Sequence, residues 1–456
     1  MQATLAFDRG TLLLSPPDLP AAMVPSTFVK DPRAGGRFRG LANTYRTSLA
    51  QLIRAGIDID DQARQYVTLN LAMERVKTPY PHQKEALDAW EKHARFGVVV
   101  LPTGAGKTYV AEMAIERTQR STLVVAPTLD LVAQWARGLA ATFGTPVGTI
   151  GGGSFDVQPL TVSTYDSAYL HMDRLGNQFG LIVFDEVHHL PSESYSQAAT
   201  LSLAPYRLGL TATPERPDQR HEGITDLVGP IVYRKRVSDL SGEYLSDYNV
   251  IRVHVDLTPE EREQYEESRA QYREFVQSRG IRMGSPRGWQ RFIEETCRSA
   301  EGRAAFQAYR KQRQLALAST SKLQAFEKLL HDHPNEKVLF FAHSNRTVYS
   351  ISQRFLVPAI THETSTAERQ TILNGLEAGR WHVVGTSRVL NEGVDMPDVS
   401  VGVVMSGTGS VREHVQRLGR ILRRKPGKRA VLYELVTRDT IDTYTSQRRR
   451  DHEAYR

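Results

Sequence analysis

Short apolar runs alternate with helical patterns in two separate stretches of the chain. In the first, FGVVVLP at 96–102 reads as a buried parallel strand, and YVAEMAIERTQR follows a glycine loop as a helix. TLVVAP at 122–127, LTVST at 160–164, LIVFDE at 181–186 and RLGLTAT at 207–213 continue the alternation. In the second stretch the strand candidates are KVLFFAHS at 337–344, HVVGTS at 382–387, VSVGVVMS at 399–406 and AVLYELV at 430–436. Near-continuous apolar strands separated by helices predict parallel sheets covered on both faces. The fold class is therefore α/β, with two parallel-sheet domains over roughly 79–235 and 236–456.

The strand pattern lapses over 258–318. TPEEREQYEESRAQYREFVQSR opens with a Thr cap and an acidic first turn and runs on as a long charged helix. After a break at MGSPRGW (283–289), a second helical piece continues to about 318, making a two-helix excursion from the second domain. Residues 1–75 read as a small N-terminal domain: a β-like start, prolines at 16, 17, 20, 25 and 32, and YRTSLAQLIRAG as a helix.

With 456 residues, 40% apolar and 24% charged, the chain is long enough for several packed domains and excludes wholesale disorder. Its one cysteine, Cys297, excludes an internal disulfide and a Cys-rich zinc module. No apolar stretch approaches a membrane span, and MQATLAFDRG lacks the pattern of a signal peptide. A cytoplasmic protein is expected. Between Arg269 and Arg313 eleven basic residues face four acidic ones, so this segment equals the +7 of the whole chain. Such a block suits an anionic partner such as nucleic acid, or forms a solvated helical face.

LPTGAGKT at 101–108 lies between a strand and a helix, where backbone N–H groups of a glycine turn form an anion site. Thr103, Gly104, Ala105 and Gly106 would cradle phosphates, Lys107 would reach the β- and γ-phosphates, and Thr108 would hold Mg²⁺. Leu101 stands where the strict pattern has glycine. In DEVHH, at the end of another strand, Asp185 would bind Mg²⁺ directly or through water, and Glu186 would orient or deprotonate an attacking water. QRLGRILR at 416–423 presents Arg417, Arg420 and Arg423, suited to charge stabilisation on a transferred phosphoryl group or to a structural role.

In this order, TGAGKT, APTLDLVAQW, VSTYDSA, DEVHHLP, LTATPER, FFAHS, GTSRVLNEGVDMPD and QRLGRILR resemble the motif set of a superfamily 2 helicase. DEVHHLP, the helical insertion and MSGTGSVREHVQRLGRILR resemble the XPB family, especially its compact archaeal members, over about 79–440 and more weakly over 1–75. The resemblance implies two RecA-like domains closing on ATP with Mg²⁺, a helical thumb that grips DNA, and an N-terminal domain akin to a damage-recognition domain. It implies Gln83 as adenine reader with Tyr80 nearby, and His188 coupling the ATP site to Thr211, Ala212 and Thr213. It further implies Asp395 near the ribose and Arg420 and Arg423 as arginine fingers, with Arg417 as a structural link. One departure stands out. Where the family has Arg-Glu-Asp after the TAT segment, linked to strand separation, this chain has Arg216, Pro217 and Asp218. Proline removes the carboxylate and the backbone donor.

Within the thumb, Arg273, Arg279, Arg282, Arg287, Trp289 and Arg291 are the candidate DNA contacts. Tyr272, Phe275, Phe292, Phe306 and Tyr309 fit base stacking or, more commonly, a small core between helices. RAGGRFRG at 33–40 fits a basic loop on phosphates or a plain loop, and the basic QRRRDHEAYR fits a terminal helix or a partner contact. The leading expectation is a 3′–5′ DNA helicase of the XPB type acting on single-stranded or forked DNA in excision repair or promoter opening, with a nuclease or a transcription or repair factor as possible partner. The alternatives are a duplex translocase that separates no strands, an ATP-gated scaffold for a nuclease and, more weakly, an RNA helicase.

Overall fold

The computed structural model describes residues 2–74, 77–214, 222–240, 244, 248–285, 287–387, 399–405 and 430–450. The chain divides into two compact units, with the change at Leu240 and Ser241.

The first unit begins with a five-stranded sheet in the order Val29–Lys30, Phe38–Leu41, Thr11–Ser15, Gln2–Asp8, Asp58–Asp61. Neighbours are antiparallel except for the last pair, which is parallel. Leu5, Leu12, Leu14, Tyr45 and Leu52 form its core. In the basic 33–40 loop, Arg39 donates to Asp31 (2.6 Å) and Asp8 (2.8 Å), so its charge is already matched within the domain. Arg46 donates to the carbonyls of Ala94 (2.7 Å) and Pro205 (3.3 Å), and Asn177 to that of Ala63 (3.0 Å). Leu203 enters the same core, so this domain has its own sheet yet packs on the one that follows.

That following domain is an eight-stranded sheet ordered Ile231–Arg234, Phe96–Val100, Tyr206–Thr211, Leu181–Asp185, Thr122–Ala126, Leu160–Thr164, Gly148–Gly151, Ser154–Phe155. Neighbouring strands are parallel except in the closing hairpin. The central strands are buried along their whole length, as expected where helices cover both faces. The glycine loop, the DEVHH segment and the segment with Thr213 each leave the carboxyl end of one of these strands, where open α/β sheets bind ligands.

The second unit holds a six-stranded, wholly parallel sheet ordered Tyr248–Val255, Ala430–Thr437, Val401–Val404, Val338–Phe341, Val383–Thr386, Ala359–Ile360. Five strands in the two parallel sheets escaped the sequence reading: Gly148–Gly151, Ser154–Phe155, Ile231–Arg234, Tyr248–Val255 and Ala359–Ile360. They are glycine-rich, very short or interrupted by charge. Tyr248–Val255 carries Arg252, paired with buried Glu434 at 3.5 Å.

Between Tyr248–Val255 and the helix Thr320–Asp332 the chain makes three helices, not two: Pro259–Ser278, Gly288–Arg298 and Ala300–Leu317. The difference is a break at Ser299, which turns extended and caps the third helix by accepting from the Gly302 N–H at 2.9 Å. Phe275, Ile281, Phe292 and Ala305 are buried together, with Tyr272, Phe306 and Tyr309 packed against them. Most of the thumb aromatics therefore build its core.

Candidate functional site

Gly104 and Gly106 adopt φ of +87° and +84°, conformations that L side chains rarely take, and the loop then enters the helix Lys107–Thr118. A side chain on Gly106 would collide with the amide nitrogen of Gln83. Gln83 accepts from the Tyr80 N–H at 2.9 Å and donates to the Ala105 carbonyl at 3.1 Å. His82 Nε2 lies 2.9 Å from the same carbonyl and, facing an acceptor, carries the hydrogen. Tyr80, 43% exposed, stacks on His82 at 5.6 Å. Gln83 and the loop assigned to phosphates thus share one hydrogen-bonded cluster.

Among the described residues Lys107 Nζ holds a single, long hydrogen bond, 3.3 Å to the Leu101 carbonyl, and Thr108 is exposed at the helix start. The buried Thr103 hydroxyl has no hydrogen-bond partner among the described residues. An orphaned hydroxyl, two left-handed glycines and a weakly tethered lysine fit an incoming phosphate chain. Among the described residues no group of three or more His, Cys, Asp or Glu could hold a metal. The donor set fits Mg²⁺ held by one carboxylate, a hydroxyl and substrate phosphates, the usual arrangement for that ion.

Asp185 closes the strand Leu181–Asp185 and is 8% exposed. Its Oδ2 accepts from Trp135 Nε1 at 2.8 Å and its Oδ1 from the Glu186 N–H at 3.0 Å, while its backbone carbonyl accepts from the Tyr165 hydroxyl at 2.9 Å. Burial above all, and then the neighbouring Glu186 carboxylate, push the Asp185 pKa above the usual carboxylate range. The Trp135 bond, Lys107 and the Glu186 N–H pull the other way. Glu186 itself sits at φ +48°, a strained backbone for a residue with a side chain.

Behind the carboxylates, the Thr211 hydroxyl lies 3.0 Å from His188 Nδ1 and 3.4 Å from Glu186 Oε2. It also accepts from the Thr213 N–H at 3.1 Å. His188 Nδ1 is 3.4 Å from the same Glu186 oxygen. His188, Thr211 and Thr213 are buried, with Ala212 between the two threonines. The carboxylate suited to activating water is therefore wired to the segment leaving the strand Tyr206–Thr211. Asp395, Arg417, Arg420 and Arg423, and the Arg216, Pro217 and Asp218 departure, lie outside the described residues.

Three family models match in succession along the chain. The Xeroderma pigmentosum group B helicase damage recognition domain matches residues 5–63, the type III restriction enzyme res subunit 76–216, and the ERCC3/RAD25/XPB C-terminal helicase 303–453. A relative from Sulfurisphaera tokodaii named DNA 3′-5′ translocase XPB2 is 41% identical, over 91% of this chain and 94% of its own. The chain belongs to the XPB helicase family. A second XPB relative, the DNA 3′-5′ helicase XPB of Mycobacterium tuberculosis, is 30% identical over 78% of this chain and 60% of its own. The crystal structure of the Pyrococcus furiosus Hef helicase domain shares the fold, with a TM-score of 0.56 at 20% identity, over 81% of this chain and 97% of that one. Both parallel-sheet domains of this XPB-family chain are RecA-like helicase domains.

In the thumb of this XPB-family chain, Arg273, Arg279, Arg282, Arg287 and Arg291 are all exposed. Four of the five fall within 279–291, and Arg291 reaches the Arg279 carbonyl at 3.5 Å. Trp289 is 46% exposed, resting on Phe292 and Tyr309. Arg273 stands apart, further back along its helix.

The sequence reading assigned no role to His82, Trp135 or Tyr165, although each lies in or beside a quoted motif. The signal was available for Trp135: an indole N–H on the buried face of a helix needs an acceptor.

Proposed function

We propose that the chain is an ATP- and Mg²⁺-dependent DNA motor of the XPB type with 3′–5′ polarity. The observation that carries this reading is the wiring of Glu186 through the Thr211 hydroxyl to His188, beside a glycine loop shaped for phosphates. A hydrolytic carboxylate tied to a threonine at the end of the strand Tyr206–Thr211 suits an enzyme that couples hydrolysis to a conformational step.

The backbone of Thr103–Gly106 and the helix start would hold the phosphates, with Lys107 exchanging the Leu101 carbonyl for a β/γ-phosphate oxygen. Thr108 and Asp185 would hold Mg²⁺. Bound Mg²⁺ supplies neutralisation of charge on the transferred phosphoryl group. Glu186 orients or deprotonates water, Arg420 and Arg423 add positive charge as arginine fingers, and Asp395 meets the ribose. Gln83, to read adenine, releases the Ala105 carbonyl, so occupancy of the base site is felt by the phosphate loop. The exposed arginines at 279–291 and Trp289 would grip single-stranded or forked DNA. The N-terminal domain would serve damage recognition. The setting would be excision repair or transcription initiation in a prokaryotic cytoplasm, at the nucleoid, with a nuclease or transcription factor as partner. No described helix is long and apolar enough to cross a membrane.

A second reading, translocation along duplex DNA without strand separation, is favoured by one observation: Pro217 stands where the family has a strand-separating glutamate. The two readings part experimentally. A duplex translocase strips a third strand from a DNA triplex in an ATP-dependent way yet leaves a forked duplex intact, whereas a helicase also opens the fork. Failure at both would remove motor action from the account.

A further inference from the structure

Between the strand Asp58–Asp61 and the helix Pro81–Lys92 the described residues form no strand or helix, yet their backbone is held along its length. The N–H groups of Leu69, Leu71 and Met73 donate to the Gln119 carbonyl (3.0 Å), Gln119 Oε1 (2.7 Å) and Glu116 Oε1 (2.9 Å). All three land on the last turn of the phosphate-loop helix Lys107–Thr118 or on the residue that caps it. Gln119 Nε2 donates back to the Leu71 carbonyl at 2.7 Å, so one side-chain amide satisfies both backbone groups of Leu71. Gln119 does this at φ +52°, where glycine is the usual helix stop and would offer no amide.

The same segment is held again at the other end of that helix. Buried Tyr109, which directly follows Lys107 and Thr108, donates its hydroxyl to the Lys77 carbonyl. Lys77 lies just ahead of Tyr80, whose N–H is accepted by the Gln83 side chain. Val110, Ala111, Ala114 and Ile115 are fully buried, so the helix itself is fixed in the domain core. The residues leading to Gln83 are thus referenced to the phosphate-binding helix, through a tyrosine at its start and a glutamine at its end.

We propose that Tyr109 and Gln119 are positioning residues that set the reach between Gln83 and the phosphate loop, and so make the site select adenine over guanine nucleotides. The inference rests on Gln83 as the adenine reader and names what gives that reading its selectivity. Base and phosphates belong to one molecule of limited reach. Gln83 discriminates only when its amide meets the base edge in register, because a hydrogen bond weakens steeply with misalignment. Phosphate contacts carry no information about the base. Loosening the segment therefore removes the adenine-specific part of binding and spares the rest.

The test compares wild type with Tyr109→Phe, which removes one oxygen atom and keeps the ring, and with Gln119→Met, which keeps the length and removes the amide. The affinities of the full chain for ADP and for GDP, each with Mg²⁺, are measured by titration calorimetry. Wild type is expected to prefer ADP. In each variant ADP affinity should fall about tenfold, the size of one well-aligned hydrogen bond, while GDP affinity holds. A merely structural loosening weakens both nucleotides alike and leaves their ratio unchanged. An unchanged ratio in Tyr109→Phe overturns the proposal, and does so even if Gln119→Met misfolds; a fall confined to Tyr109→Phe overturns the part given to Gln119. A wild type that binds both nucleotides equally overturns the adenine-reader assignment together with this inference, whereas a selective wild type with equally selective variants overturns the inference alone.

Discussion

The hydroxyl of Thr211 lies 3.0 Å from His188 Nδ1. It carries one hydrogen, and three acceptors compete for it: Nδ1, Glu186 Oε2 at 3.4 Å and the Thr213 carbonyl at 3.2 Å. When Nδ1 carries a hydrogen, the imidazole donates to Thr211 and the hydroxyl turns to Glu186 or to Thr213. The hydroxyl thereby ties Glu186, His188 and the Thr213 backbone together. Thr211→Val keeps the shape and removes the switch. We expect a roughly 10- to 100-fold fall in DNA-stimulated kcat, in line with losing a hydrogen bond to a charged group. Nucleotide affinity should hold, as titration with a fluorescent ADP analogue would show.

Gly106 makes a sharper demand. Its φ of +84° strains any side chain, and the space a Cβ would need is filled by Gln83. Gly106→Ala should weaken ATP binding about tenfold or more, since the loop or Gln83 must move. The Tm without nucleotide should change by only a few degrees, and equal affinity in both proteins would show that the loop geometry is immaterial.

In the second unit, Lys322 and Asp442 form a fully buried pair at 2.6 Å, and Lys322 also donates to the Met405 carbonyl at 2.7 Å. Removing one partner leaves a buried charge uncompensated, at a cost of about 3–5 kcal/mol. Lys322→Met should expose the helix Thr320–Asp332 to hydrogen exchange. Adding Asp442→Asn, which keeps an acceptor for the Thr437 N–H, should recover much of the protection.

Glu112 is buried in the first unit, its carboxylate accepting from the Thr142 hydroxyl at 3.1 Å. Burial raises its pKa, outweighing the Thr142 bond and Lys77. The folded state therefore binds this proton more tightly than the unfolded one, and stability from this group falls as pH rises through the folded value. Glu112→Gln keeps the acceptor for Thr142 and lacks the charge. The variant should melt higher than wild type at pH 7, with the gap closing as pH falls into the carboxylate range. A constant gap across that range would refute the assignment.

The glycine loop and the DEVHH segment could be read from the chain because their chemistry needs fixed residue types at fixed spacing, just after a buried strand. Trp135 and Tyr165 could not be assigned that way. They reach Asp185 across 50 and 20 residues of sequence, and only the order of strands in the sheet puts them there. Outer strands were missed for a local reason. Gly148–Gly151 has too few apolar residues, and in Tyr248–Val255 the arginine that breaks the pattern is held by Glu434 on the next strand. The third thumb helix was hidden because Ser299 restarts the helix without glycine or proline to mark the stop.

The central claim, that this chain hydrolyses ATP to work on DNA, is tested most directly by Mg²⁺-dependent ATP hydrolysis with and without single-stranded and forked DNA. Wild type and Lys107→Ala are compared side by side. The account predicts strong stimulation by DNA that disappears in the variant while DNA binding remains. Hydrolysis indifferent to DNA, or surviving without Lys107, would contradict it.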